Sequence, residues 1–476
     1  MEHSGTSYHI EPELRGTIRV GSSLVKDGET IFLGRLAEGG HATRVDADIT
    51  EEFVWAILGQ RGSGKSFTLG SILESFVTKA QNSTIGSRRS DRAVLLLDPL
   101  SNFWTTENAI TDGPQERLKR QYASLAGWPV KVEDINCTIW LPAGLRRDFD
   151  PPFIKEFVFR TADLQLPDLA DMLGLNAMSD PQGILLSEVV DKTREVGYTT
   201  AEGPVAANQG AGIDELLDCL EHDIDFQNPI AIQNAGYAPA TVRTLKRNLD
   251  RFRREPMFSG TGTALTDLLK PGHLSVLMLP HRMGKDLRSV IARVLMRRIL
   301  ADREIAATQQ NELDLMHQDT AEAAKIAERL KLHIPRTVVA IDEAQDLLGD
   351  KGGAEKEAIE DFCLVGRNYG LSMILATQRP ETSAISAKVR DLVSLFFLHN
   401  LGSQKNIDTA RGNLLAPEPT KVEFGDQEFS FFDLLRHLKT GYAILSAKSM
   451  KADGRVQRSF VLNVRPRIRV HGGSAS

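Results

Sequence analysis

Short runs of consecutive apolar residues recur along this chain, and longer stretches with helical spacing separate them. The runs that predict buried strands cover residues 53–58, 93–98, 274–279, 338–343, 371–377 and 392–399. A continuous apolar run of this length fits a parallel strand that is covered on both faces. Strands that alternate with helices in this way predict an α/β fold with a mostly parallel, doubly wound sheet.

The segments around these runs divide the chain into five predicted parts. Residues 1–52 show the short alternation of a small β module, and residues 151–234 show the irregular helical pattern of an insertion. The α/β core is expected in two pieces, residues 53–150 and 235–440. Residues 441–476 return to β-type alternation, which predicts a C-terminal β arm.

Bulk composition limits the classes of function. The 476 residues are 41% hydrophobic and 25% charged, as in an ordinary globular protein, and the net charge is −6. Any contact with nucleic acid must therefore come from a local basic patch or the inside of a ring. The three cysteines are widely spaced, without a metal-ligand or redox pattern, which suits a reducing cytosol. No signal peptide or membrane-spanning run is evident, so we expect a soluble, cytoplasmic protein without membrane contact.

Residues 59–66 read Gly-Gln-Arg-Gly-Ser-Gly-Lys-Ser, the Gly-x4-Gly-Lys-Ser phosphate-binding loop, between a predicted strand and a predicted helix. Glycines let backbone N–H groups point at phosphate oxygens, and the helix N-terminus adds partial positive charge. Lys65 is expected to reach the β- and γ-phosphates of a nucleotide, and Ser66 to bind Mg²⁺. The predicted nucleotide contacts are Gly59, Gln60, Arg61, Gly62, Ser63, Gly64, Lys65, Ser66 and Phe67.

Several predicted strands end in polar residues, and the carboxyl ends of parallel strands share the edge where ligands bind. The polar strand ends are Asp98, Asp342-Glu343, Gln378 and His399. We predict that Asp342 holds Mg²⁺, that Glu343 activates the attacking water, and that Gln378 senses the γ-phosphate or orients the water. The alternative is that the two acids form a turn or a helix cap and that Gln378 is a surface amide.

Arginines are the remaining candidates for chemistry and for DNA contact. NTPases often recruit an arginine from a neighbouring subunit, and Arg61, Arg367, Arg379 and Arg390 are candidates by position, each also compatible with a structural role. Of these, we assign Arg367 to the catalytic set. Two basic helical stretches fit either DNA contact or a solvated, salt-bridged face. Their residues are Arg243, Lys246, Arg247, Arg251, Arg253 and Arg254, and Arg288, Arg293, Arg297 and Arg298.

In order and wording, these motifs resemble the HerA/FtsK branch of P-loop ATPases, and HerA most closely. The matching stretches are Walker A at 59–66, Leu-Asp-Pro at 97–99, Ile-Asp-Glu-Ala (Walker B) at 341–344, Gly-Arg-Asn-Tyr-Gly at 366–370, Ala-Thr-Gln-Arg-Pro at 376–380 and Val-Arg-Pro-Arg at 464–467. The resemblance implies a RecA-like core and a hexameric ring. It also implies ATP hydrolysis with Mg²⁺, threading of double-stranded DNA, and a partner nuclease that is NurA-like or a defence effector.

The chain departs from the family pattern at a few points. Its N-terminal β module is short, no acid occupies position 102 of the Asp-Pro turn, and residues 303–335 look like an insertion. The leading hypothesis is an ATP-driven double-stranded DNA translocase or helicase that works with a nuclease in DNA end processing or anti-phage defence. The alternatives are an ATP-dependent ring scaffold that gates an effector nuclease, and a conjugation- or secretion-type ATPase.

Overall fold

The structure, a computed structural model, describes most of the chain in thirteen ranges. These are residues 17–21, 28–38, 43–80, 83–87, 92–234, 236–259, 261–316, 320–347, 354–379, 385–418, 421–424, 427–451 and 459–472. The chain divides into two compact units. The first comprises Met1–Ile139, Leu268–His281 and Ile299–Ser476, and the second comprises Trp140–Asp267 and Arg282–Arg298.

The strands are short, and they carry the labels used below. They are β1 (Ile18–Val20), β2 (Thr30–Leu36), β3 (Arg44–Asp48), β4 (Val54–Leu58), β5 (Gly86–Ser87), β6 (Ala93–Asp98), β7 (Cys137–Pro142), β8 (Lys155–Phe157), β9 (Phe159–Arg160), β10 (Tyr198–Thr200), β11 (Gly203–Val205), β12 (Phe258–Ser259), β13 (Leu274–Met278), β14 (Thr337–Ile341), β15 (Leu371–Thr377), β16 (Leu395–Leu398), β17 (Lys421–Phe424), β18 (Gln427–Ser430), β19 (Tyr442–Ala447), β20 (Met450–Lys451) and β21 (Phe460–Val464).

The helices vary widely in length. They are α1 (Lys65–Val77), α2 (Glu116–Ala123), α3 (Leu166–Leu173), α4 (Pro181–Asp191), α5 (Ile213–His222), α6 (Ile224–Gln227), α7 (Pro229–Asn234), α8 (Pro239–Arg253), α9 (Leu265–Leu268), α10 (Lys285–Leu315), α11 (Ala321–Leu330), α12 (Ala354–Val365), α13 (Ala387–Leu392), α14 (Gln404–Arg411) and α15 (Phe431–His437).

The first unit is built around one sheet with a parallel centre. Strands β16, β4, β15, β14, β6 and β13 lie side by side in that order, and each pairs with its neighbours in parallel. Their residues are buried along the full length of every strand, as continuous apolar runs require. This confirms the predicted α/β, RecA-like core with a mostly parallel sheet.

Two boundaries differ from the sequence prediction. The apolar run 392–399 is a strand only over Leu395–Leu398, and it follows the helix Ala387–Leu392, because an apolar run alone does not distinguish a strand from a buried helix end. The sequence also predicts a long arginine-rich helix from Asp286 to about His317 that continues through residues 318–333. The observed helix ends at Leu315, and a separate helix begins at Ala321. Thr320 caps that second helix by accepting a hydrogen bond from the backbone N–H of Ala323 at 3.2 Å.

Both chain ends contribute strands to the core sheet. β19 pairs antiparallel with β16, and β21 pairs antiparallel with both β19 and β2. β2 also pairs with β3, and β1 lies between β3 and β20. The N-terminal β segment and the C-terminal segment therefore meet through hydrogen bonds along one edge of the sheet.

The second unit contains the predicted helical insertion and extends beyond it. Helices α4 and α5 pack against α8, and β8 and β9 add short extended segments. Asp168 is fully buried here and forms ion pairs with Arg293 at 2.7 Å and with Arg297 at 2.5 Å. Since a buried carboxylate needs charged partners, these two arginines of the second basic stretch stabilise this unit rather than form an open cationic face.

Candidate nucleotide-binding site

The phosphate loop joins β4 to α1 and needs glycine for its backbone path. Gly62 and Gly64 have φ angles of 78° and 104°, in the left-handed region that favours glycine, and Gly64 caps α1. A Cβ atom on Gly59 would lie 2.5 Å from Ser63 Oγ and 2.7 Å from His399 Cβ. Within the described residues, Ser63 Oγ is buried without a hydrogen-bond partner. A buried, unsatisfied hydroxyl in this loop fits a phosphate oxygen as its acceptor.

Lys65 and Ser66 of the loop lie beside the Walker B acids Asp342 and Glu343, which are more than 270 residues further along the chain. The Lys65 ammonium donates to the Gln60 carbonyl at 3.1 Å and lies 3.8 Å from Glu343 Oε1. Ser66 Oγ donates to Asp342 Oδ2 at 3.0 Å. Burial lowers the pKa of Lys65, against the opposing effect of the Glu343 and Asp342 carboxylates. The loop and the end of β14 therefore come together as the sequence predicts.

The Ser66 and Asp342 oxygens fit a magnesium ion. Burial, together with the neighbouring Glu343 and Asp98 carboxylates, raises the pKa of Asp342 to about 7. A nearby cation would favour its charged form, and Mg²⁺ takes few protein oxygens when phosphates and waters supply the rest. In the described part of the chain, no cluster of three or more His, Cys, Asp or Glu side chains is arranged to hold a metal. Ser66 and Asp342 would thus share the ion with the nucleotide.

Glu343 is held by amides on both of its oxygens. Gln378 Nε2 donates to Oε1 at 2.6 Å, and Gln345 Nε2 donates to Oε2 at 2.6 Å. Glu343 itself has φ 46° and ψ 55°, a left-handed conformation that is uncommon for a residue with a side chain. The predicted general base and the predicted sensor at the end of β15 are therefore direct neighbours, and Gln378 is not a free surface amide. Sequence reasoning missed Gln345, although it lies two residues beyond the Walker B acids.

His399 supports the loop from behind. Its ring is fully buried, and burial together with Lys65 lowers its pKa to about 3, so the ring is neutral. Nδ1 donates to the Tyr442 carbonyl at 2.9 Å, which leaves Nε2 to accept the Thr68 hydroxyl at 3.0 Å. His399, which follows β16, is thus hydrogen-bonded to both α1 and β19 and has a structural role next to the loop.

A buried ion cluster joins α1 to residues 465–471, which we call the arginine segment. Arg467 Nε lies 2.8 Å from Glu74 Oε1, and Arg465 lies 3.7 Å from Glu74 Oε2. The Ile468 backbone N–H donates to Glu74 Oε2 at 2.9 Å. The next turn carries His471, whose ring meets Phe67 edge-on at 6.0 Å between centroids. Sequence reasoning identified this segment only by resemblance, and Glu74 not at all.

Arg367 does not reach the nucleotide loop of its own chain. It precedes β15, at the amino edge of the parallel sheet, whereas the loop lies at the carboxyl edge. There it pairs with Glu51 at 3.0 Å, and its side chain is 62% exposed. Arg367 is therefore not placed to act on the loop of its own chain, and its predicted role in a neighbouring subunit's site stays a prediction. Of the other candidates, Arg61 is exposed on the loop itself.

No helix in the described ranges is long and apolar enough to cross a bilayer.

Comparison with known proteins gives one family and several similar structures. Residues 31–299 match the family described as "Helicase HerA, central domain". VirB4 of Thermoanaerobacter pseudethanolicus is 16% identical, with a TM-score of 0.48 over 92% of this chain and 96% of that one. The bacterial conjugative coupling protein TrwB is 11% identical, with a TM-score of 0.44 over 94% and 96%. Its complex with ADP and Mg²⁺ is 12% identical, with a TM-score of 0.41 over 88% and 87%. None of the curated proteins matches this sequence.

The family match covers more than half of the chain and includes the phosphate loop and β6. This chain therefore belongs to the HerA helicase family of P-loop ATPases.

Proposed function

From membership of the HerA family, we propose that this chain is an ATP-driven motor that acts on double-stranded DNA. The observation that carries the proposal is the meeting of Lys65, Glu343 and Gln378 at the carboxyl edge of the sheet, with Lys65 3.8 Å and Gln378 2.6 Å from Glu343. A lysine for the phosphates, a carboxylate for the water and an amide at the next strand end are the parts that NTP hydrolysis uses.

Each part of this site has a defined task in hydrolysis. The water oxygen attacks the γ-phosphorus, its proton passes to the Glu343 carboxylate, and the bond to the β,γ-bridging oxygen breaks to leave ADP and phosphate. Lys65 and the loop N–H groups stabilise the charge on the phosphate oxygens. Mg²⁺, held by Ser66 and Asp342, would supply further charge neutralisation. Gln378 orients the water or responds to the γ-phosphate.

The exposed face of α8 is the proposed surface for DNA phosphates. Arg243, Arg247 and Arg251 are spaced four residues apart, so they form a stripe along one side of the helix, and all three are exposed. Among the described residues they form no ion pair, whereas Lys246 pairs with Glu221 at 2.9 Å and Arg254 pairs with Asp250 at 2.6 Å. Unpaired arginines are the groups that can release counterions from a phosphate backbone.

We further propose that the motor works as a ring, with hexamers as the expected form, and that it serves a partner nuclease in DNA end processing or anti-phage defence. In such a ring Arg367, which is exposed at the opposite edge of the sheet, would act on the site of a neighbouring subunit. In this proposal the partner supplies the nuclease chemistry.

A ring scaffold that gates an effector nuclease is the second candidate. The net charge of −6 leaves it open, because the surface as a whole does not attract DNA. The Glu343→Gln variant separates the two candidates, since it should bind ATP without hydrolysing it. A scaffold keeps partner function in this variant, and a motor loses it.

The first test is steady-state ATP hydrolysis with and without linear double-stranded DNA, alongside Lys65→Ala. A motor predicts stimulation by DNA that disappears in the variant. Hydrolysis that persists in Lys65→Ala would mean that the site is wrongly assigned. Hydrolysis that depends on Lys65 but ignores DNA would favour the scaffold.

A further inference from the structure

Gln345 bridges the Walker B glutamate and the neighbouring strand. It lies in the 3-10 turn Ala344–Asp346, and its Nε2 donates to Glu343 Oε2 at 2.6 Å. Its Oε1 accepts the Thr377 hydroxyl at 2.6 Å and the backbone N–H of Gln378 at 3.4 Å. The last residue of β15 is thereby joined to the predicted general base through a single side chain.

The surrounding groups fix the orientation of the Gln345 amide. A carboxylate only accepts hydrogen bonds, so the NH₂ group of Gln345 must face Glu343. The hydroxyl of Thr377 and the backbone N–H of Gln378 donate, so the carbonyl must face them. If the amide were flipped, its oxygen would face the Glu343 carboxylate oxygen, and its NH₂ group would face the backbone N–H of Gln378.

The two amides on Glu343 still leave it able to accept a proton. An ionised carboxylate has about four acceptor positions, and Gln345 and Gln378 each take one, on different oxygens. A water therefore still has an acceptor position on this carboxylate. Holding it in one orientation matters because Glu343 lies in the left-handed region at φ 46°, a conformation that persists only when its surroundings support it.

Gln345 and Gln378 differ in how firmly they are anchored. Gln378 is the residue expected to respond to the γ-phosphate, which requires its side chain to leave Glu343. Gln345 is bound at both ends, to Glu343 and to Thr377, and is only partly exposed. It can therefore keep the carboxylate oriented while Gln378 moves.

We propose that Gln345 is a positioning residue for ATP hydrolysis: it orients the Glu343 carboxylate towards the attacking water and couples it to Thr377 at the end of β15. This inference rests on the proposed ATPase activity. Gln345 acts through Glu343 and is not itself expected to contact the nucleotide.

The test uses Gln345→Met, which keeps the side-chain length but removes both hydrogen-bonding groups. We expect kcat to fall about 10- to 100-fold, as for the loss of a hydrogen bond to a charged group, with KM for ATP within about twofold of the wild type. Binding of a fluorescent ATP analogue should also stay within about twofold. Gln310→Ala, at an exposed amide on α10, is the matched control and should leave both parameters unchanged.

Thr377 supplies a second, independent readout. Thr377→Val should lower kcat about 3- to 10-fold, and Thr377→Ser, which keeps the hydroxyl, should restore most of that loss. The Thr377 hydroxyl also accepts the backbone N–H of Arg379 at 3.1 Å. Because Thr377 is proposed to act mainly through Gln345, the double variant Gln345→Met/Thr377→Val should lose less activity than the sum of the two single losses.

Three results would overturn the inference: an unchanged kcat in Gln345→Met, a loss confined to KM, or fully additive effects in the double variant. Its failure is distinguishable from failure of the proposed function. If the wild type hydrolyses ATP in a Lys65-dependent way while Gln345→Met is equally fast, only the role of Gln345 is wrong. If the wild type shows no Lys65-dependent hydrolysis, the proposed function itself is wrong.

Discussion

Arg467 and Glu74 form an ion pair in which Nε lies 2.8 Å from Oε1 and both side chains are fully buried. The two residues are 393 positions apart, one near the end of the chain and the other on the helix that follows the phosphate loop. Arg467 also lies against Gly70, where a Cβ atom would come within 2.5 Å of the guanidinium carbon. The arginine segment thus fixes the position of α1 and, through it, of the loop.

Removing Glu74 should therefore destabilise the whole first unit. Glu74→Ala leaves Arg465 and Arg467 buried without their carboxylate, and we expect a loss of about 3–5 kcal/mol in the free energy of unfolding. Urea denaturation followed by circular dichroism measures it. Glu116→Ala removes an exposed partner of Arg120 and should change stability by less than about 0.5 kcal/mol. A similar small change in Glu74→Ala would refute the structural role of the cluster.

His399 predicts a pH dependence of stability. Its pKa falls from an ordinary 6.5 to about 3 on folding, so its contribution is complete above pH 6.5 and is lost as the pH falls towards 3. Relative to His399→Gln, the wild type should lose about 2 kcal/mol of unfolding free energy between pH 6.5 and pH 5. Denaturation curves of both proteins at several pH values give this difference. Parallel curves would mean that the ring is not buried in its neutral form.

Gly64 should be required for nucleotide binding. Its φ of 104° strains any residue with a Cβ atom, and that atom would lie 3.3 Å from the Gly441 backbone nitrogen. We expect Gly64→Ala to weaken binding of a fluorescent ATP analogue at least tenfold, equivalent to about 1.4 kcal/mol. Gly127→Ala is the matched control, because Gly127 also has a positive φ, of 77°, but lies outside the loop. It should lower the melting temperature without affecting nucleotide affinity.

Asp342 should determine the response to magnesium. In Asp342→Asn, Mg²⁺ should no longer strengthen ATP binding, because the carboxylate is the main protein charge available to the ion. Titrations of the ATP analogue with Mg²⁺ and with EDTA, in the wild type and in the variant, measure the effect. If Mg²⁺ strengthens binding equally in both, the ion is held elsewhere.

Arg367 is tested by mixing two inactive proteins. Arg367→Ala should bind ATP normally, because this residue lies away from the loop of its own chain. Mixed with Lys65→Ala subunits, which keep the arginine, it should regain hydrolysis in shared rings. If Arg367→Ala alone hydrolyses ATP at the wild-type rate, Arg367 is not the arginine that acts on the neighbouring subunit. The same experiment then applies to Arg61, Arg379 and Arg390.

The α8 stripe is tested by the salt dependence of DNA binding. Replacing Arg243, Arg247 and Arg251 by alanine should reduce the slope of log affinity against log salt by about 0.9 per lost phosphate contact. The control is Lys325→Ala/Lys331→Ala, which removes two exposed lysines that pair with glutamates, one on α11 and one at its C-terminal cap. An unchanged slope in the arginine variant would place the DNA-binding surface elsewhere.

The local features of this protein followed from its sequence. The loop 59–66 and the buried strands could be predicted from local sequence alone. Glycines occur where φ is positive, and continuous apolar residues occur where a strand is covered on both faces. The predicted parallel order of the strands placed Glu343 and Gln378 together at the carboxyl edge of the sheet, and in the structure Gln378 Nε2 lies 2.6 Å from Glu343 Oε1. That prediction succeeded because strand ends in a parallel sheet share one edge.

Only tertiary packing decided which distant groups pair. Glu74 pairs with Arg467, and Asp168 pairs with Arg293, because the fold buries these groups next to each other. The residues of each pair are far apart in sequence, so no spacing along the chain predicts the contact. For the same reason the sequence left the basic stretch of α10 open between DNA contact and a salt-bridged face, since the carboxylate partner of Arg293 lies 125 residues away. The sequence determined the elements and the chemistry of each strand end. Packing decided which charges are buried, because desolvation makes a buried charge depend on whichever partner the fold brings to it.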